Sequence, residues 1–155
     1  MKFKKVALGG TFHRIHKGHK ALLREAFEAG QEVVIGLTTD RMVRQHRKPH
    51  EIHGYAKRKK GLTDFLAGEG LSDRVRIVPL RDPYGPTVWD EEIEAIVVSP
   101  ETEPTAVRIN EIREERGLKP LKILVVKKVL AEDGGPISTT RIISGEIDEE
   151  GRLVK

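Results

Sequence analysis

Three features of the sequence predict an α/β domain built on a five-stranded parallel sheet. Five short apolar runs rich in Val and Ile alternate with stretches of helical periodicity, and strands separated by helices pair in parallel through crossovers. The first strand meets the first helix in a glycine-rich turn, GGTFHRIHKGH from Gly9 to His19. No internal repeat, low-complexity segment or linker interrupts the 155 residues, so one domain over residues 1–155 is expected.

Taken in order, Lys4 to Leu8 reads as a buried first strand, and Lys20 to Ala29 as a helix with Ala21, Leu22, Ala26 and Ala29 near one face. Gly30 ends it. Gln31 to Leu37 is a second β-branched run, completing a βαβ unit whose crossover is expected to be right-handed. Thr38, Thr39 and Asp40 supply N-cap chemistry for a short helix through about Arg44, and Pro49 and Gly54 then break regularity. Tyr55 to Leu66 is a helix with Tyr55, Leu62, Phe65 and Leu66 inward and its Lys and Arg residues outward, closed by Gly68 and Gly70. Arg74 to Leu80 is the third strand, and RDPYGPT from Arg81 to Thr87 is too rich in Pro to continue it. Glu94 to Ser99 is the fourth strand. PETEPT then caps a helix from about Thr105 to Arg116, which Gly117 and Pro120 end. Leu121 to Val129 is the fifth strand, and AEDGGP leads into a last short helix at Ile137-Ser138-Thr139-Thr140-Arg141. The whole reads as a single Rossmann-like, doubly wound domain.

Composition narrows the function. The chain has no cysteine, which excludes disulfides, thiolate metal sites and a cysteine nucleophile. No apolar run is long enough to span a membrane, and MKFKKVALGG leads directly into a strand without a cleavage region, so a cytoplasmic protein with no membrane partner is expected. The 28 Lys and Arg outnumber the 24 Asp and Glu by four. Much of that excess lies between Arg41 and Lys60, a stretch whose one aromatic is Tyr55. A surface that stacks bases wants more aromatics, which argues against a nucleic acid partner. A positive field that draws in nucleotide phosphates remains.

In an open parallel sheet, ligands bind beyond the carboxyl ends of the strands where strand order reverses. The loop from Gly9 to Gly18 lies there. Gly9 and Gly10 permit close backbone approach, Gly18 lets the chain enter the helix, and the first-turn amides face an anion with the helix dipole behind them. His16 and His19 are candidate donors to the same anion, and Ser138, Thr139 and Thr140 offer hydroxyls at the start of the last helix. The turn is neither a Walker A loop nor GxGxxG.

GGTF with HKGH resembles the signature of the HIGH-type nucleotidyltransferases, and the resemblance runs on. VVIGLTTD, VPLRDPYGPT, EAIVVSPETEPTA and LAEDGGPISTTRI, in that order, make the chain similar to the archaeal phosphopantetheine adenylyltransferases from near residue 4 to near Asp148. The resemblance implies that Thr11 and His19 touch the ATP triphosphate, with His16 structural or in contact with nucleotide. It implies that Ser138 and Thr139 hold the β- and γ-phosphates, that Lys48 and Arg58 neutralise charge from the basic side, and that Asp40 and the turn beginning at Arg81 lie on the acceptor or adenine side. His19, Thr11 and Lys48 are then the catalytic set. Two positions depart from the pattern: His13 stands where Asp is usual, and Ile143 occupies an Arg position, with Arg141 two residues earlier on another helix face. An imidazole at position 13 is expected to add a protonatable group near the triphosphate.

The implied reaction is adenylyl transfer, in which the 4'-phosphate of phosphopantetheine attacks the α-phosphorus of ATP and releases pyrophosphate. That phosphate is already anionic near neutral pH and needs no base, in keeping with the absence of an obvious Ser-His-Asp set or paired carboxylates. Mg²⁺ is expected to enter on ATP, held by phosphates and water rather than by protein ligands. Other acceptors, such as nicotinamide mononucleotide or FMN, and a non-catalytic nucleotide- or RNA-binding role are the alternatives. Oligomeric state is not legible.

Overall fold

The computed structural model describes residues 2–13, 15–46 and 53–126. Its strands are β1 (Phe3–Gly10), β2 (Gly30–Thr38), β3 (Val75–Leu80), β4 (Ala95–Val98) and β5 (Lys122–Val125). Its helices are α1 (Lys17–Ala29), α2 (Asp40–His46), α3 (Tyr55–Gly68) and α4 (Glu103–Glu115), with one-turn 3₁₀ helices at Ser72–Arg74 and Gly85–Val88. All strand pairs are parallel in the order β3-β2-β1-β4-β5. The five-stranded doubly wound sheet is as expected, and its order reverses between β1 and β4.

Alternation along the strands divides the core in two. Val6 and Leu8 of β1, Val33, Ile35 and Leu37 of β2, and Ala95 and Val97 of β4 pack with Leu23, Ala26 and Phe27 of α1 and Leu62 and Leu66 of α3. Ala7, Ile96 and Val98 point the other way, against Ala106 and Ile109 of α4. Successive residues of a strand face opposite sides, so helices on both faces bury both sets.

Several boundaries moved by a few residues, three of them for a visible local reason. Helix α1 starts at Lys17 rather than Lys20 because His16 caps it. Its fully buried residues are Leu23, Ala26 and Phe27; of the expected face, Ala26 is buried and Leu22 and Ala29 pack partly buried against the same core. The chain passes from α1 to β2 with no loop, and Arg74 takes the place of one: its guanidinium donates to the carbonyls of Phe27 (2.6 Å), Gly30 (2.7 Å) and Gln31 (3.0 Å). A cation at a helix C-terminus satisfies carbonyls that the helix leaves open. Strand β1 extends through Gly9 and Gly10, which pair with Gly36 and Leu37 of β2. The residues of the fifth strand beyond Val126 and the last helix lie outside the described residues.

Candidate active site

The turn after β1 is shaped by its own histidines. His16 is the N-cap of α1, and its Nδ1 accepts from the N–H groups of Gly18 (3.1 Å) and His19 (3.3 Å). His19 reciprocates, its Nδ1 accepting from the His16 N–H at 3.3 Å. This is a capping box made with imidazoles in place of a hydroxyl and a carboxylate. The two rings stack with centroids 3.7 Å apart. An accepting Nδ1 leaves the proton of a neutral imidazole on Nε2. Burial favours the neutral form and lowers the His16 pKa to about 4. A Cβ at Gly18 would lie 3.0 Å from His16 Cε1, so glycine leaves room for the capping ring.

Phe12 holds the other half of the turn. Its φ of +49° is left-handed, which costs a residue with a side chain about 1–2 kcal/mol. Burial of its ring, 4.8 Å from that of His19, offsets the strain. His13 is buried. Its Nδ1 accepts the His53 N–H at 2.9 Å, and the two rings lie 4.2 Å apart. An aspartate carboxylate has the same capacity to accept that amide, which accounts for the exchange at position 13.

The placement of one expected acceptor ligand is corrected, and a second is tied to it. Arg58 was expected on the exposed basic face, yet only 1% of it is exposed. It donates to His53 O (2.7 Å), Thr11 O (3.0 Å), Thr38 Oγ1 (3.2 Å) and Asp40 Oδ1 (3.1 Å). Four of the five guanidinium N–H groups are thus engaged within the protein. Asp40 is committed too: its Oδ1 also accepts the Tyr55 N–H at 2.8 Å, capping α3 in place of Gly54, which has no side chain to do so. Arg58 thus organises the site from within, while the Asp40 side chain remains half exposed.

Beside the turn a cleft of about 230 Å³ runs along the strand ends. Gly9, Gly10, Gly36 and Thr38 line it from the sheet, Leu80, Tyr84 and Thr87 from the β3–β4 connection, and Thr102, Thr105 and Ile109 from the α4 side. A Cβ at Gly36 would come within 2.6 Å of Leu80 Cγ, and one at Gly9 within 3.1 Å of Leu80 Cδ1. These glycines let the Leu80 side chain lie across the sheet. The β3–β4 connection contains no long helix, so its carbonyls need outside partners. Arg113 of α4, also 1% exposed, donates to the carbonyls of Thr87 (2.7 Å), Asp90 (3.1 Å) and Lys119 (2.7 Å), and Arg116 donates to that of Val88 (3.0 Å). At the other end Asp82 Oδ1 accepts the N–H groups of Tyr84 and Gly85, both at 2.8 Å.

Sequence reasoning missed Arg113 and misjudged Arg58, although both carried a signal. Arg58, Leu62 and Leu66 share one helical stripe, as do Ala106, Ile109 and Arg113. A cation in phase with an apolar stripe points inward. Arg81 lines a neighbouring hollow of about 540 Å³ with Lys5, Arg76, Trp89 and Asp90, which shares Val34 and Pro86 with the cleft. The turn thus gathers Gly9, Gly10, Thr11, His16, Gly18 and His19 at one sheet end. Lys48, Ser138, Thr139 and Thr140, with Arg141 and Ile143, lie outside the described residues.

Comparison with known proteins fits this geometry. A family model described as cytidylyltransferase-like matches residues 7–145. The phosphopantetheine adenylyltransferase of Methanopyrus kandleri is 51% identical over 148 residues, covering 96% of this chain and 93% of that protein. The enzyme of the same name from Methanosarcina barkeri is 49% identical over 154 residues, covering 97% and 93%. Among solved structures, a protein of unknown function from Archaeoglobus fulgidus superposes with a TM-score of 0.71 at 34% identity, over 86% of this chain and 99% of that one. By matches this long and this close, the chain belongs to the cytidylyltransferase-like family, among the archaeal phosphopantetheine adenylyltransferases.

Proposed function

We propose that this protein transfers AMP from MgATP to 4'-phosphopantetheine, yielding dephospho-CoA and pyrophosphate, as a cytoplasmic step of coenzyme A biosynthesis. The observation that carries the reading is the imidazole-capped turn at the β1/β4 switch point, standing beside a cleft lined by glycines, threonines and apolar side chains. An anion-binding turn next to a narrow, mostly apolar groove suits one polyphosphate and one long, weakly polar acceptor.

Within this mechanism the first amides of α1 and the Nε2–H of His19 hold the triphosphate and stabilise charge that develops on its oxygens. Thr11 donates to the same group. Lys48 adds a cation from the basic segment, and Ser138, Thr139 and Thr140 hold the distal phosphates. The acceptor lies along the cleft, its phosphate aimed in line at the α-phosphorus; the P–O bond to pyrophosphate breaks as the new phosphoanhydride forms. Positioning and charge stabilisation then supply the catalysis. Among the described residues no group of three or more His, Asp or Glu side chains is placed to hold a metal ion. Magnesium travels as part of the ATP substrate, on phosphate and water oxygens.

Pyrophosphate release from MgATP, measured with phosphopantetheine, nicotinamide mononucleotide and FMN in parallel, tests the reading. Turnover is expected with phosphopantetheine alone. Turnover with a different acceptor and none with phosphopantetheine overturns the substrate assignment.

A further inference from the structure

The turn residue Thr11 is fixed from two directions by one buried guanidinium. Arg58 Nη1 donates both to the Thr11 backbone carbonyl (3.0 Å) and to the Thr38 hydroxyl (3.2 Å), and the Thr38 hydroxyl donates in turn to Thr11 Oγ1 at 3.0 Å. The polarity of this chain is set at its root, because a guanidinium has donors and no acceptor. With Thr38 accepting from Arg58 and giving its own proton to Thr11, one lone pair of Thr11 Oγ1 is occupied and the Thr11 hydroxyl hydrogen, which cannot return to Thr38, points onward. Thr11 and Thr38 are each 9% exposed, so bulk water does not compete for these bonds as it does at an open surface. Thr38 ends β2 beside the cleft, and Arg58 rises from the first turn of α3. Three elements therefore converge on one hydroxyl.

We propose that Thr38 and Arg58 are positioning residues that act through Thr11, holding its hydroxyl as a donor toward a phosphate oxygen of the nucleotide. The proposal rests on the reading of the turn as the nucleotide site. Neither residue touches the nucleotide in this arrangement. Their effect is to remove the rotational freedom of a hydroxyl that otherwise donates in any direction, so that the donor is in place before the reaction begins.

The test is a double-mutant cycle in the full-length chain, read as kcat/KM for MgATP. Thr11→Val is expected to lower it about 100-fold, the low end of what loss of one preorganised donor costs, and Thr38→Val about tenfold. Thr11→Val/Thr38→Val is expected to be no worse than Thr11→Val alone within about twofold, since residues that act as one unit are not additive. Thr38→Ser, which restores the hydroxyl without the methyl, is expected to stay within about threefold of wild type. Multiplying effects in the double variant, an inert Thr38→Val, or a Thr38→Ser as poor as Thr38→Val each overturn the proposal. Thermal melts separate these outcomes from unfolding. If the wild-type chain fails to turn over phosphopantetheine, the substrate assignment falls by itself. The same cycle is then read on ATP affinity by isothermal titration, where the same non-additivity is expected and additive losses refute the relay.

Discussion

An imidazole that accepts two backbone N–H groups through Nδ1, as His16 does, can do so only while that nitrogen is unprotonated. Its folded pKa of about 4 lies below the ordinary value near 6.5. Between those values the unfolded chain binds the proton and the folded chain does not, so stability is fully present above pH 6.5 or so and drains as pH falls toward 4. The loss is on the order of 3 kcal/mol over that window. His16→Asn keeps an oxygen able to cap the helix but does not titrate. Urea midpoints from pH 4 to 7 are expected to fall less steeply in the variant than in wild type, and parallel curves would remove His16 from the acid transition. A second expectation concerns His13. His13→Asp retains an acceptor for the His53 N–H, whereas His13→Leu strands that amide and is expected to cost about 1–3 kcal/mol, read as a lower melting temperature. The HxGH spacing made the histidines visible in the sequence, but not how their nitrogens are divided. One nitrogen of each ring goes to the cap, a fact that depends on ring rotamers and not on spacing.

At the scale of elements, the strands and helices were legible because their patterns are local. Alternation of Val and Ile, a helical stripe and a terminating Gly are each contained in a few residues, and all five strands and all four helices of the described residues fall where those patterns lie. Contacts between elements were not. The network of Arg58 and Asp40 was hidden because a lone basic or acidic residue has no visible partner in sequence. Their partners, Thr11, Thr38, His53 and Tyr55, come together only when β1, β2 and α3 pack. Gly36 was equally silent. It sits inside an apolar run, and its purpose is the Leu80 side chain on the neighbouring strand. Gly36→Ala is expected to destabilise by about 1–3 kcal/mol through overpacking, and Leu80→Ala in the same chain is expected to recover part of the loss, since the pair shares one space. Denaturant midpoints of the two single variants and the double variant check this; strictly additive losses would mean that the two side chains do not compete.

Over the whole molecule, the two fully buried arginines stand on opposite sides of the β1/β4 reversal, and each fastens one wall of the site. Arg58 on α3 ties down the turn at Thr11 together with Thr38, on the nucleotide side. Arg113 on α4 gathers Thr87 and Asp90 of the β3–β4 connection, the wall along which the acceptor is proposed to lie. A doubly wound sheet puts successive helices on both faces, so the two clamps have no contact through a shared helix and are free to act separately. Burial lowers the Arg113 pKa from its ordinary value, with the charges of Asp90 and Glu91 opposing that shift. Lysine in place of either arginine keeps the charge but not the fork that spans several carbonyls. Arg58→Lys is therefore expected to weaken ATP binding about tenfold, equivalent to roughly 1.4 kcal/mol, while leaving phosphopantetheine binding within about twofold. Arg113→Lys is expected to do the reverse. Isothermal titration of each ligand alone into each variant reads the four constants, with melting temperatures to register general loosening of the fold. If both variants weaken both ligands alike, in proportion to lost stability, the arginines are common supports of one scaffold and the two walls are not held independently.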